Sequence, residues 1–129
     1  MPASTVIPVL AYPSVDEAVA WLSAAFGFTL RLRIGDHRAQ LNAGDGALVI
    51  TGGGAAGEAP GRDSIMIRVD DARAHCERAR AHGATIAMEP TDFPYGERQY
   101  TAVDFSGRAW TFSESIADVD PRAWGGLPD

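Results

Sequence analysis

Residues 92–114 read DFPYGERQYTAVDFSGRAWTFSE, and the fold is decided here. Arg98 to Val103 is rich in β-formers, Ser106-Gly107 is a tight turn, and Ala109 to Phe112 resumes as a strand. Strand alternation predicts Trp110 and Phe112 on one face, with Ala109 and Thr111 on the other. The turn Pro94-Tyr95-Gly96 leads in and brings an aromatic ring, Glu97 and Arg98 to the rim of whatever the hairpin encloses. Whether those two charges pair stays open, because adjacent strand residues point to opposite faces. A hairpin alone is marginal in water, so the rest of the chain must supply a sheet for it to join.

Upstream, Ser64 to Val69 reads as a strand, and Asp70 or Asp71 caps a helix from Ala72 to His82 that Gly83 closes. Ala84 to Met88 is a further strand. The first half repeats this order. Thr5 to Tyr12 is a buried strand in which Pro8 marks an edge or a bulge. Ser14, with Glu17 three residues on, opens a helix whose apolar positions are Val15, Ala18, Val19, Leu22, Ala25 and Phe26. Gly27 stops it. Phe28, Leu30, Leu32 and Ile34 then alternate with Thr29, Arg31 and Arg33. His37 to Asn42 and Ala47 to Thr51 follow, separated by the Asp45-Gly46 turn. Val15-Asp16-Glu17-Ala18 is echoed by Val69-Asp70-Asp71-Ala72. The expected organisation is one domain over 1–129. Module one spans about 5–51, a flexible small-residue linker 52–62, module two about 63–115, and a Pro/Gly-rich tail 116–129 carries Trp124 as a docking anchor. The linker's glycines lack the Lys-Ser/Thr ending of a phosphate-binding loop.

With 129 residues the chain is long enough to bury roughly 65–70% of its unfolded surface. Its net charge is −6 and it contains no lysine, all 11 basic residues being arginine. Acidity argues against nucleic acid, which needs clustered cations, and mildly favours a cationic small molecule. The single cysteine, Cys76, excludes an intrachain disulfide and a cysteine-based zinc site, and its helical phase with Ala72 and Ala79 makes it a small buried residue. No apolar run approaches the ~20 residues of a membrane span, and MPASTVIPVL has no charged leader, so a cytoplasmic chain is expected.

Two βαβββ halves with these turns resemble the vicinal oxygen chelate superfamily, which includes glyoxalase I, extradiol dioxygenases and bleomycin-resistance proteins. The carriers are VDEAVAWLSAAFGF, SIMIRVDDARAHCERARAHGA and the opening stretch, whose Asp104, Gly107, Trp110 and Phe112 match a DxxGxxWxF ending. The resemblance covers about residues 5–115. It implies an α+β fold in which two βαβββ modules form curved mixed sheets around a cavity, paired in a homodimer. It also implies where a metal would be held: one ligand on the first and last strand of each half, at about Ile7, Ile50, Ser64 and Thr111. Two of these are aliphatic and two are neutral hydroxyls, a poor set for a divalent ion. No metal and no cofactor are therefore expected. His75 and His82 stand two turns apart on one helix, about 10 Å, too far to share an ion, and with His37 they read as structural.

The expected function is that of a metal-free protein binding an aromatic or cationic small molecule in an apolar pocket, similar to the bleomycin-resistance branch. Pocket candidates are Ile7, Arg33, Ile50, Ser64, Tyr95, Gln99, Tyr100, Trp110 and Thr111. The aromatics among them serve equally well as core or dimer contact. The competing expectation is a metal-dependent lyase or dioxygenase of the same superfamily with ligands elsewhere, and a third is metal-free catalysis by Tyr95 or Glu97.

Overall fold

The computed structural model describes residues 6–53 and 64–125. The body of the expected linker, and the side chain of Trp124, lie outside the described residues. The order of elements is β1 (Val9–Ala11), α1 (Val15–Phe26), β2 (Thr29–Ile34), β3 (Arg38–Ala43) and β4 (Gly46–Thr51). It then repeats as β5 (Ile65–Arg68), α2 (Ala72–Ala81), β6 (Thr85–Phe93), β7 (Glu97–Val103) and β8 (Ala109–Ser115). Each module forms a four-stranded mixed sheet with the same wiring, β1-β4-β3-β2 and β5-β8-β7-β6. In each, the first strand runs parallel to the last and the other pairs are antiparallel.

The helix ends obey local chemistry. Ser14 Oγ accepts from the Glu17 amide at 3.2 Å, and Gly27 closes α1 in the left-handed region at φ 78°. Asp71, not Asp70, caps α2 by accepting from the Ala74 amide at 3.0 Å. The strands depart from expectation where the backbone is irregular. Regular pairing of β1 begins only after Pro8, which has no N–H to give, although its carbonyl still accepts from Val49 at 2.9 Å. Pro8 thus precedes an edge strand. In β2 a register shift between Leu30 and Leu32 breaks the expected single apolar face: Leu30 pairs with Leu41, whereas Leu32 pairs with Gln40 on the opposite face. β6 continues to Phe93, past Pro90, which lies within a second irregularity between Met88 and Thr91 on an edge strand.

α1 packs on β2, β3 and β4, α2 packs on β6, β7 and β8, and the two helices pack on each other. One core results. Phe26 of α1 lies 5.5 Å from Trp110 and 4.8 Å from Phe112 (ring centroids), both on β8 of the other module. The helices also cap one another. Arg78 Nε donates to the Ala24 carbonyl at 2.8 Å, at the end of α1, and Trp21 Nε1 donates to the His82 carbonyl at 2.9 Å, at the end of α2. Orphan carbonyls at helix ends want such donors, and a cation there also complements the helix dipole. Replacing Arg78 with alanine is expected to cost about 1 kcal/mol. Urea unfolding should show this as a lower midpoint at unchanged slope; an unchanged midpoint would remove the cap from the account.

Candidate functional site

Because both helices cover one face of each sheet, the opposite, helix-free faces are where a ligand can be met. Alternation along β8 puts Trp110 and Phe112 into the core and turns Thr111 and Ser113 the other way. Cross-strand register aligns Met66 and Thr101 with Thr111, and Arg68 and Gln99 with Ser113. Two hydrogen-bonded rows result. In one, Thr111 Oγ1 lies 3.3 Å from Ser64 Oγ and 3.1 Å from Thr101 Oγ1. In the other, Tyr95 OH donates to Gln99 Oε1 (3.4 Å), Gln99 Nε2 donates to Ser113 Oγ (3.1 Å), and Ser113 Oγ donates to Glu97 Oε1 (2.9 Å). The second row is directional and ends on a carboxylate. Thr111, Ser113 and Gln99 are buried, so each needs the partner it has. At the rim the Tyr95 ring stacks on Phe93 with centroids 5.3 Å apart and planes 11° apart.

Of the residues singled out from sequence, Ser64, Tyr95, Gln99 and Thr111 come together on this face. Ile7 lies half-buried just before β1, in phase with Val9, which pairs with Val49. The others are placed elsewhere. Ile50 is fully buried beneath α1, and its neighbour Val49 is the residue that faces away from the helix. Tyr100 and Trp110 are fully buried core residues on the helix side. Arg33 sits opposite Ala39 on the helix side and pairs with Asp16 of α1. The β2 irregularity turns Arg31 instead toward Gln40, to whose Oε1 it donates at 3.1 Å. Glu97 and Arg98 do not pair: Glu97 serves the polar row, while Arg98 binds Asp92 at 2.6 Å and approaches Glu114 at 3.8 Å on the other face. Ser113 and Thr101 went unselected, although Ser113 follows from Thr111 by a step of two; naming their partners required the register.

The donor set does not suit a divalent metal. Ser64 and Thr111 offer hydroxyls already bonded to each other, and Ile7 and Val49 offer only hydrocarbon. Among the described residues no group of three or more His, Cys, Asp or Glu side chains is placed to hold an ion. His75 is engaged by Tyr100 and by the Phe26 carbonyl, and His82 Nδ1 lies 2.9 Å from the Arg78 carbonyl. Cys76 is fully buried in the core, and burial first of all pushes its thiol pKa up, which makes it a poor nucleophile. A groove of about 530 Å³ runs between the β3–β4 turn (Asp45, Gly46) and the outer edge of β5 (Met66, Arg68), with Asp70 just beyond it. No helix among the described residues is long and apolar enough to cross a membrane.

Comparison with solved structures finds this architecture repeatedly. TioX from Micromonospora sp. ML1 is 34% identical, with 88% of this chain and 100% of that chain covered at a TM-score of 0.73. The genomically encoded fosfomycin resistance protein FosX from Listeria monocytogenes is 16% identical over 88% and 92% of the two chains, TM-score 0.73. A glyoxalase/bleomycin resistance protein/dioxygenase from Nocardioides is 20% identical over 99% and 92%, TM-score 0.66. The last two are likenesses of fold alone. No curated protein matches the chain in sequence. The family pattern that matches spans residues 5–112, most of both modules, and with the 34% identity to TioX it shows that the chain belongs to the glyoxalase/bleomycin resistance protein/dioxygenase superfamily.

Proposed function

We propose that this protein binds an aromatic or cationic small molecule on the helix-free face of its second sheet, without a metal. One observation carries this reading: the hydroxyls of Ser64 and Thr111, two of the positions where the family resemblance implies ligands, are bonded to each other within a polar row. Hydroxyls, an amide and a carboxylate beside a stacked aromatic pair make a surface for orienting an organic ligand, with few groups for activating one. The Glu97 carboxylate at the end of the row favours a ligand that brings hydrogen-bond donors or positive charge.

The pocket is completed by a second copy of the chain. Val9, Leu32, Ile34 and Met66 are large apolar residues more than two-fifths exposed, and by strand alternation they all lie on the helix-free faces. β1 and β5 are edge strands. Two copies bringing these faces together would enclose the polar rows between them and bury the apolar residues. A cytoplasmic setting fits the lone buried thiol of Cys76.

Titration with ethidium, a planar aromatic cation, and with cationic glycopeptides, followed by thermal shift, is expected to give a saturable rise in unfolding temperature. Thr111→Val keeps the shape and removes the shared hydroxyl; it is expected to weaken binding by roughly ten-fold, about 1.4 kcal/mol. Absence of any saturable response across a broad panel would sink the binding reading. Stoichiometric zinc, nickel, manganese or iron in protein purified without chelator, lost on mutating a His or Glu, would replace it with metal-dependent chemistry.

A further inference from the structure

The hairpin that carries Tyr95 is held from outside the sheet. Phe93 to Gly96 forms a turn closed by the Gly96 amide donating to the Phe93 carbonyl at 3.1 Å, and Gly96 has φ +86°. A three-residue hairpin loop of this kind needs a left-handed residue at its third position, which glycine supplies without strain. β8 ends at Ser115, opposite Glu97. There the chain folds over the turn, and the amides of Ile116 and Ala117 both donate to the Gly96 carbonyl, at 2.9 and 3.2 Å. The approach is close. A Cβ on Gly96 would stand 2.2 Å from the Ala117 carbonyl oxygen and 3.2 Å from Val119 Cγ2.

We propose that residues 116–119 form a strap which, latched on Gly96, holds Tyr95 and Glu97 in position at the ligand-binding face. The two residues flanking Gly96 are the two ends of the row Tyr95–Gln99–Ser113–Glu97. Fixing the backbone between them fixes both ends of that row at once. The strap is weakly built: Ile116, Ala117 and Asp118 are exposed, and its attachment to the turn is two backbone hydrogen bonds to one oxygen. Such a segment opens locally at little cost while the sheet beneath stays folded. With the strap latched, the ordering of the rim precedes ligand arrival; with it open, the ligand must order Tyr95 itself and binds more weakly. Gly96 is thus a positioning residue for the binding face, a role that rests on the proposed site being the ligand site.

Amide hydrogen exchange on the full chain tests the strap without any ligand. Ile116→Pro deletes the shorter bond's donor outside the sheet and so perturbs the strap without touching the turn. Gly96→Ala drives a methyl group into the strap and also strains the turn at its positive φ, and Ile116→Val is the control that keeps the donor. Exchange in the segment 94–99 is expected to rise at least about ten-fold in the first two variants, with α1 and α2 unchanged and the control like the parent. Unchanged exchange in 94–99 overturns the proposal, as does a rise spread evenly over the whole chain. In a second arm, with ethidium as the probe, Ile116→Pro is expected to weaken binding about five- to ten-fold. Equal binding by parent and variant overturns the strap's part in recognition. A parent that binds no ethidium counts against the proposed ligand class, while exchange still decides the strap.

Discussion

Asp104→Ala is expected to cost about 3–5 kcal/mol, a large share of the 5–15 kcal/mol that holds a domain folded. The carboxylate is almost fully buried and accepts four hydrogen bonds. Its Oδ2 takes the Tyr12 hydroxyl at 2.8 Å and Trp110 Nε1 at 3.0 Å, and its Oδ1 takes the Ser106 and Arg108 amides at 3.0 Å each. Tyr12 belongs to module one and the other three donors to module two, so one carboxylate braces the halves together. Arg108 completes the brace: its guanidinium lies over the Tyr12 ring, 5.3 Å from the centroid, and donates to the Ala11 carbonyl at 3.3 Å. Removing the carboxylate strands a buried O–H and a buried indole N–H, each costing about 1–3 kcal/mol, while the two turn amides can turn to water. Asp104→Asn is expected to rescue little, because its NH2 would face donors. Tyr12→Phe leaves the carboxylate three partners and is expected to cost only about 1–2 kcal/mol. Thermal unfolding should rank the three in that order, with Asp104→Ala lowering Tm by roughly 10–20 °C. A loss below about 1 kcal/mol for Asp104→Ala would mean that the brace does not hold the modules together.

Asp104 also shows what a single sequence reveals and what it hides. Its place before Ser106-Gly107 marks it as a turn residue, and it does accept the turn's amides. Its reach to Tyr12, 92 positions away, depends on packing between modules. The repeat was legible because caps, stop glycines and tight turns are local: Ser14, Gly27, Asp71 and Gly107 all stand where short-range chemistry puts them. Facing was legible only where the strand is regular. Trp110, Thr111 and Phe112 alternate as expected on β8, whereas the irregularity at Arg31 moved Leu32 and Ile34 away from Leu30's side and exchanged Arg33 for Arg31 at the helix-free face. Tyr100 is a pocket candidate by its chemistry and Ile50 by its position on the strand, yet a step of one residue sends a side chain to the other face, and both lie in the core. Glu97 and Ser113 needed the register to be seen as one row.

The half-buried His75 should make stability fall as the solution is acidified. His75 lies against Phe112 with centroids 4.2 Å apart and the rings tilted by 37°, accepts at Nδ1 from the Tyr100 hydroxyl, and donates from Nε2 to the Phe26 carbonyl at 2.8 Å. This is the neutral ring's pattern, one nitrogen accepting and one donating. Burial first of all, with the nearby Arg78 charge, holds its pKa below the usual histidine range, against the Phe26 carbonyl that favours the charged form. The sign follows. A base whose folded pKa is lowered binds fewer protons in the native state than in the unfolded chain. Above about pH 6.5 both states leave it neutral and it adds no pH dependence. As pH falls from there toward the lowered folded value, the unfolded state gains the proton first. Stability is then lost at up to about 1.4 kcal/mol per pH unit, and the loss levels off once the folded state is protonated too. Comparison with His75→Gln isolates this effect, because whatever the two chains share cancels in the difference. The variant is expected to be less stable than the parent by about 1–3 kcal/mol at pH 7.5, because it loses the paired bonds that join α1, α2 and β7. The gap is expected to narrow between pH 6.5 and 5, since only the parent has a ring that the unfolded chain protonates before the folded one. Urea unfolding of both chains at half-unit pH steps reads the gap directly. A gap as wide at pH 5 as at pH 7.5 would mean that His75 binds its proton equally well in the folded and unfolded chain. A gap that widens toward pH 5 would mean that Nδ1 too carries a proton and donates to the Tyr100 hydroxyl.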